Sequence, residues 1–197
     1  KTLCTAMLKG WRKDFDQGNL PFYFVQMPPY NFGKHDSTAD QLALFREVQT
    51  LMLKVKNTGM AVTMDSKEFD NLHPRDKKPV GIRLAKVALH DAYGYRNIMD
   101  EGPVYKKFTV DGNTAKISFD KSSIGSGLTT SDGQPPKYFY MAGADKIFHE
   151  ARAQINGNEV WLSSPEVQHP VAVRYAFTNY PVTNFENKEG LPAWPFR

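Results

Sequence analysis

Met60-Ala61-Val62-Thr63-Met64-Asp65 is the stretch that decides the fold class. It is a short apolar run. Asn57-Thr58-Gly59 stands before it as a turn signal, and a polar loop over residues 65–78 follows. That pattern reads as a buried strand at 60–64. A matching run, Phe22-Tyr23-Phe24-Val25, lies upstream, with Pro21 ahead of it and Pro28-Pro29 and Asn31-Phe32-Gly33 beyond. Between the two, Ser37 or Thr38 is placed to cap an amphipathic helix over about 39–55. That helix turns Leu42, Leu44, Phe45, Val48, Leu51, Met52 and Val55 inward. A helix over 3–15, with Leu3, Met7, Leu8 and Trp11 at helical spacing, precedes the first strand, and another over about 79–92 follows the second. Helices and strands in alternation argue for a parallel sheet covered by helices. Ligands gather at the carboxyl ends of such strands, so the loops over 26–36 and 65–75 are where a site belongs.

From about residue 100 the texture changes. Lys107-Phe108-Thr109-Val110, Ala115-Lys116-Ile117-Ser118-Phe119, Tyr138-Phe139-Tyr140-Met141, Val160-Trp161-Leu162 and Val171 to Ala176 are short, roughly alternating runs. Asp111-Gly112-Asn113 and Asn156-Gly157-Asn158 are hairpin signals between such runs. This half reads as antiparallel β packed as a sandwich. Its tail, residues 184–197, reads as loop, with Pro192 and Pro195.

Composition excludes the unusual classes. The 197 residues are 41% hydrophobic and 23% charged, ordinary for a globule and unlike a disordered chain, a collagen or a disulfide miniprotein. No apolar run approaches the roughly 20 residues that span a bilayer. The net charge of +4 is unevenly held. Residues 1–99 carry 15 basic and 10 acidic side chains, and residues 100–197 carry 10 and 11. Neither half has the dense basic stripe that nucleic acid demands. The single cysteine, Cys4, excludes an intrachain disulfide and reads as core filler. The chain opens on Lys1 without a charged-then-apolar leader, which suggests a longer precursor.

Chemistry concentrates in Asp70-Asn71-Leu72-His73-Pro74. An Asp three residues before a His, on a loop leaving a parallel strand, can orient that imidazole as general base for a serine hydroxyl. Asp65, at the strand's carboxyl end, is the fallback orienter. Tyr30 and Phe32 on the other loop are candidates for an aromatic sugar platform. Tyr23 and Phe24 read as strand packing. Ser126 lies in Gly125-Ser126-Gly127, which reads as a turn. His35, His90, His149 and His169 show no metal-ligand spacing, so no metal is expected.

The wider pattern resembles a known family. Leu20-Pro21-Phe22-Tyr23-Phe24-Val25-Gln26, the strand and His73 loop, and Pro79-Val80-Gly81 to Arg83-Leu84-Ala85 are similar to the sialate O-acetylesterases of the SGNH (GDSL-like) hydrolases. So are Gly102-Pro103-Val104-Tyr105, Ser163-Ser164-Pro165-Glu166-Val167, Pro170 to Ala176, and Asn187-Lys188-Glu189-Gly190-Leu191-Pro192-Ala193. The resemblance implies that residues 1–99 are the C-terminal half of an SGNH three-layer α/β domain, and that residues 100–197 are a β-rich domain. It implies serine-type hydrolysis of acetyl esters on sugars, with His73 as base, Asp70 as acid and no cofactor. The Gly-x-Ser block and the Gly and Asn blocks of the oxyanion hole do not occur here. Ser and oxyanion donors are therefore expected from an N-terminal part, on a separate chain or as a preceding segment. A secreted or periplasmic location is expected. Two alternatives remain open: an esterase acting on acetylated xylan, and a non-catalytic sugar-binding β module.

Overall fold

The computed structural model describes residues 2–31, 40–68 and 70–197. It is a mixed α/β structure. Helix α1 (Thr2–Phe15) leads into strand β1 (Phe22–Val25). Helix α2 (Gln41–Thr50), with a 3₁₀ turn at Leu51–Lys54, leads into β2 (Thr58–Ala61), and α3 (Lys78–Asp91) follows. β1 and β2 pair in parallel, Phe22 opposite Thr58 through Val25 opposite Ala61. Gly59 is required there, because a side chain at that position would collide with Val87 of α3 and Tyr23 of β1. The absence of a Cβ lets α3 lie directly on the strand pair.

The second strand comes two residues earlier than its apolar run suggests. Pairing ends at Ala61, and Val62, Thr63 and Met64 leave the ladder while staying buried. Val62 and Met64 pack with the β-rich half in one core cluster, where side-chain burial rather than pairing accounts for their hydrophobicity.

Part of the face that periodicity turns inward on the second helix is exposed, as is most of the apolar row of α1. On α1 only Leu8 is buried, and Leu3, Met7, Trp11 and Phe15 face outward. On α2 the buried residues are Leu42, Ala43 and Arg46, with Leu44, Phe45 and Val48 exposed. Periodicity identifies an apolar face but not what covers it. Cys4, read as core filler, lies exposed on α1. The caps expected at Ser37 and Thr38 lie outside the described residues. α2 begins after Asp40, and the free amide of Leu42 is taken by Asn179 Oδ1 at 2.9 Å, a cap delivered from 137 residues away.

The β-rich half comprises β3 (Tyr105–Asp111), β4 (Thr114–Phe119), β5 (Leu128–Thr130), β6 (Phe139–Ala142), β7 (Phe148–Glu150), β8 (Arg152–Asn156), β9 (Glu159–Ser163), β10 (Ala172–Tyr175) and β11 (Phe185–Asn187). Antiparallel sheets run β3-β4-β9-β8, β10-β6-β7 and β11-β5. Both hairpin signals are realised. Asp111 pairs with Thr114 across Gly112-Asn113, and Asn156 with Glu159 across Gly157-Asn158. Both glycines sit at positive φ, as such two-residue turns require. The tail is not simply loop: β11 pairs with β5, and Phe196 bridges Tyr175. Alternation along β4 and β9 turns Ala115, Ile117, Phe119, Val160 and Leu162 into the core. An aromatic group closes it, with the Phe139 and Tyr175 rings 4.5 Å apart and Phe185 5.7 Å from Phe139.

Candidate active site

The carboxyl ends of the two parallel strands are knitted together by short-range bonds. Gln26 donates its amide to the Ala61 carbonyl at 2.9 Å, and Thr63 Oγ1 donates to the Gln26 carbonyl at 3.0 Å. The chain then turns at Asp65, whose two carboxylate oxygens accept from Arg83 of α3 at 2.7 and 2.6 Å. The same guanidinium donates to the Val62 carbonyl at 2.9 Å. Arg83 is buried, so this forked, charge-assisted pair fixes the start of the loop against α3. A charged residue one helical turn before buried Val87 was the only sequence signal for it.

The loop beyond is shaped by its own side chains. Glu68 Oε1 accepts the amides of Arg75 and Asp76, at 2.9 and 3.4 Å. Asn71 Oδ1 accepts the His73 amide at 2.9 Å, an Asx turn. Asp76 Oδ1 accepts the Lys78 amide at 3.1 Å where α3 begins. His73 is thus held by its backbone, while its ring is exposed and makes no hydrogen bond among the described residues. Asp70 is on the same loop and also exposed, but its Oδ1 accepts from Asn31 Nδ2 at 3.4 Å, not from His73. Asp65, the fallback orienter, is occupied on both oxygens by Arg83.

A cleft of about 470 Å³ opens at this end of the strand pair. Val25 at the end of β1 and Pro28 beyond it, Thr63 and Asp65 after β2, and Leu72 and Pro74 on either side of His73 form its wall. Tyr30 stands on the adjoining loop, with its amide donated to the Asn179 carbonyl at 3.3 Å. Phe32 and His35 lie outside the described residues. A larger, open concavity of about 1340 Å³ lies on the β-rich half, around Tyr138, Arg152 and Trp161. It holds none of the residues the sequence singles out for chemistry.

Ser126 is a turn serine. Its amide and hydroxyl both donate to Glu189 Oε1, and the glycines on either side have positive φ. His90, in contrast, is not isolated. Its Nδ1 lies 2.9 Å from Asp91 Oδ1 and 3.4 Å from Asp100 Oδ2. One ligand atom from each of the three falls within 4.8 Å of the others, the one cation-sized grouping among the described residues. The Arg96 guanidinium, 3.7 Å from Asp91, already supplies positive charge there. Spacing along the chain missed this because Asp100 reaches His90 only through the turn after α3.

No protein-family model matches the chain. Over 119 aligned residues it is 36% identical to a sialate O-acetylesterase of Rattus norvegicus, covering 52% of this chain and 22% of that protein. The sialate O-acetylesterase of Homo sapiens is 35% identical over 123 residues, covering 53% and 23%. A crystal structure described as a novel carbohydrate acetylesterase from Xanthomonas citri superposes with a TM-score of 0.87 at 38% identity. That match covers 97% of this chain and 44% of the other. The sequence resemblance to sialate O-acetylesterases therefore holds over about half of the chain, and the mixed α/β architecture is similar to that of a carbohydrate acetylesterase. The chain spans a little over a fifth of these curated relatives and under half of the solved structure.

Proposed function

We propose that this chain is the base-bearing part of a carbohydrate O-acetylesterase of the SGNH type, similar to the sialate O-acetylesterases. The observation that carries the reading is His73: an exposed imidazole whose ring is unengaged among the described residues, between two residues of a cleft at the carboxyl end of a parallel strand. It occurs in a chain 38% identical to a carbohydrate acetylesterase over nearly its full length. Histidine is ordinarily part neutral near pH 7, as a general base must be.

In this reading a serine from outside the chain attacks the acetyl carbonyl, and His73 takes its proton. The tetrahedral oxyanion is held by donors from that same outside part. His73 returns the proton to the departing sugar hydroxyl, leaving an acetyl-serine. Water, deprotonated by His73, then releases acetate and regenerates the serine. Asp70 is the acid that orients the imidazole, by a bond that forms once the site is complete and Asp70 turns from Asn31 to His73. Tyr30, with Phe32, offers aromatic surface to the sugar.

The serine-bearing part has a place to dock. Leu3, Met7, Trp11 and Phe15 recur every four residues on one face of α1 and are 82%, 39%, 45% and 62% exposed. β1 pairs with β2 alone among the described residues, so its other edge is open to a further strand. An apolar helix row beside an open sheet edge is the surface that an adjoining part of an α/β domain covers.

The test is hydrolysis of 4-nitrophenyl acetate and of acetylated sialic acid. The isolated chain is expected to be inactive. The enzyme that joins it to its serine-bearing part is expected to turn over, and His73→Ala is expected to lower kcat by about 10⁴-fold. Serine-dependent turnover by the isolated chain, or full activity of His73→Ala, sinks the proposal.

A further inference from the structure

Arg46 is one of the largest fully buried side chains of the structure, and no carboxylate pairs with it among the described residues. Its donors go to four main-chain carbonyls. Nε reaches Met27 at 2.9 Å and Nη2 reaches Pro28 at 3.0 Å. Nη1 reaches Thr178 at 2.8 Å and Nη2 also reaches Asn179 at 2.7 Å. Burial pushes the guanidinium down to about 9. A buried cation without a counterion is an expensive way to fill space, since desolvation is offset only by its hydrogen bonds. An apolar side chain of similar size would suffice for packing. The arrangement makes sense if what matters is the relative position of the two segments it joins.

Those segments come from different halves of the molecule. Met27 and Pro28 follow β1, and Pro28 is part of the cleft wall. Two residues on, Tyr30 donates its amide to the Asn179 carbonyl, the same oxygen that accepts from Arg46. Asn31 then reaches Asp70 on the His73 loop. Thr178 and Asn179 follow β10 in the β-rich half, and the Asn179 side chain caps α2. Gln49 of α2 adds bonds to the Met27 amide at 2.8 Å and the Val25 carbonyl at 3.2 Å. The loop carrying Tyr30 is therefore gripped by α2 on one side and by the β-rich half on the other.

We infer that Arg46 is a positioning residue through which the β-rich half sets the sugar-facing wall of the cleft. The inference rests on the esterase reading and deepens it: the β-rich half is a structural part of the site, not a separate module. A planar fork with donors on three nitrogens can hold four carbonyls at once, whereas a lysine ammonium has three donors on one atom.

The experiment uses the complete enzyme and two substrates. 4-Nitrophenyl acetate reports on serine and His73 alone, and acetylated sialic acid reports also on sugar contacts. Arg46→Lys is expected to raise KM for the acetylated sugar roughly tenfold, while kcat on 4-nitrophenyl acetate stays within about twofold. Exchange of the amides within residues 27–31, those of Met27, Tyr30 and Asn31, is expected to accelerate in the same variant. Val160→Ala, in the core of the β-rich half, serves as the control: it lowers Tm without moving KM. A sugar KM unchanged by Arg46→Lys, or raised equally by Val160→Ala, overturns the inference. If His73→Ala leaves turnover intact, the esterase reading fails. Exchange then decides alone on Arg46, and unchanged protection at 27–31 refutes its role.

Discussion

The two halves of the molecule spend their apolar residues differently. In the β-rich half they are almost all inside. Phe139, Met141, Val160, Leu162 and Tyr175 are fully buried, and only Val110, Ile147 and Val171 remain exposed among its large apolar side chains that the structure describes. In the helix–strand half the reverse holds for whole faces. The Leu3-Met7-Trp11-Phe15 row and Leu44, Phe45 and Val48 are all exposed. The core cluster draws from the first half Met60, Val62 and Met64, with Phe24 and Leu53 packed against it. One half holds its apolar residues in a core; the other leaves whole apolar faces exposed. The His73 loop belongs to the half with the exposed faces.

The most severe way to break this contrast is to truncate a large apolar side chain in each half. Phe139→Ala, within an aromatic cluster, is expected to cost about 4 kcal/mol of unfolding free energy. Leu3→Ser is expected to change it by less than about 0.5 kcal/mol, because Leu3 has little burial to lose. Urea unfolding measures both. Equal losses would mean that α1's outer face is already covered and that the contrast is false.

A smaller effect sits at the junction between the halves. Glu101 is pushed up from its ordinary 4.5 to about 7, first by burial and then by the charges of Asp100 and Asp120. The folded protein therefore binds this proton more tightly than the unfolded chain does. Its contribution to stability is full below about pH 4.5 and is lost as pH rises through about 7. Discounted for partial exposure, the loss is on the order of 2 kcal/mol. Glu101→Gln is expected to flatten that part of the stability profile between pH 5 and 7.5. An unchanged slope in urea unfolding across that window would show that Glu101 is not buried at the junction.

The smallest effect sharpens how the halves are tied at the surface. Arg197 donates to both oxygens of Glu47, at 2.9 and 3.0 Å, joining the tail to α2. Both partners are exposed, so Arg197→Ala is expected to cost under about 1 kcal/mol. Thermal unfolding checks it. A loss rivalling that of Phe139→Ala would place the bond between the halves, and not the β core, at the centre of stability.

Much of the architecture was legible in the chain. The parallel pair, the three helices and both two-residue hairpins follow from period, length and turn chemistry. What was illegible had a physical cause in each instance. The exposure of Leu44, Phe45 and Val48 on α2 is not legible because periodicity reports an apolar face, not its cover. The second strand was placed late because Val62, Thr63 and Met64 are buried without pairing. β11 was read as loop because three residues among turn signals carry no period. In the candidate site, His73 and Asp70 stood out as chemical types at a chemical spacing. Asn31, Arg83 and Arg46 did not, since each acts through a partner remote in sequence.

The sequence by itself determined the elements, their alternation and the Asp70-to-His73 loop at a strand end, because those depend on residues within a few positions of one another. Tertiary structure alone decided that Asp65 belongs to Arg83, that Asp70 meets Asn31, that Asn179 caps α2, and that Arg46 joins two loops from opposite halves. Those bonds form between groups that the chain separates by 18 to 137 residues, and only folding brings them within hydrogen-bonding distance.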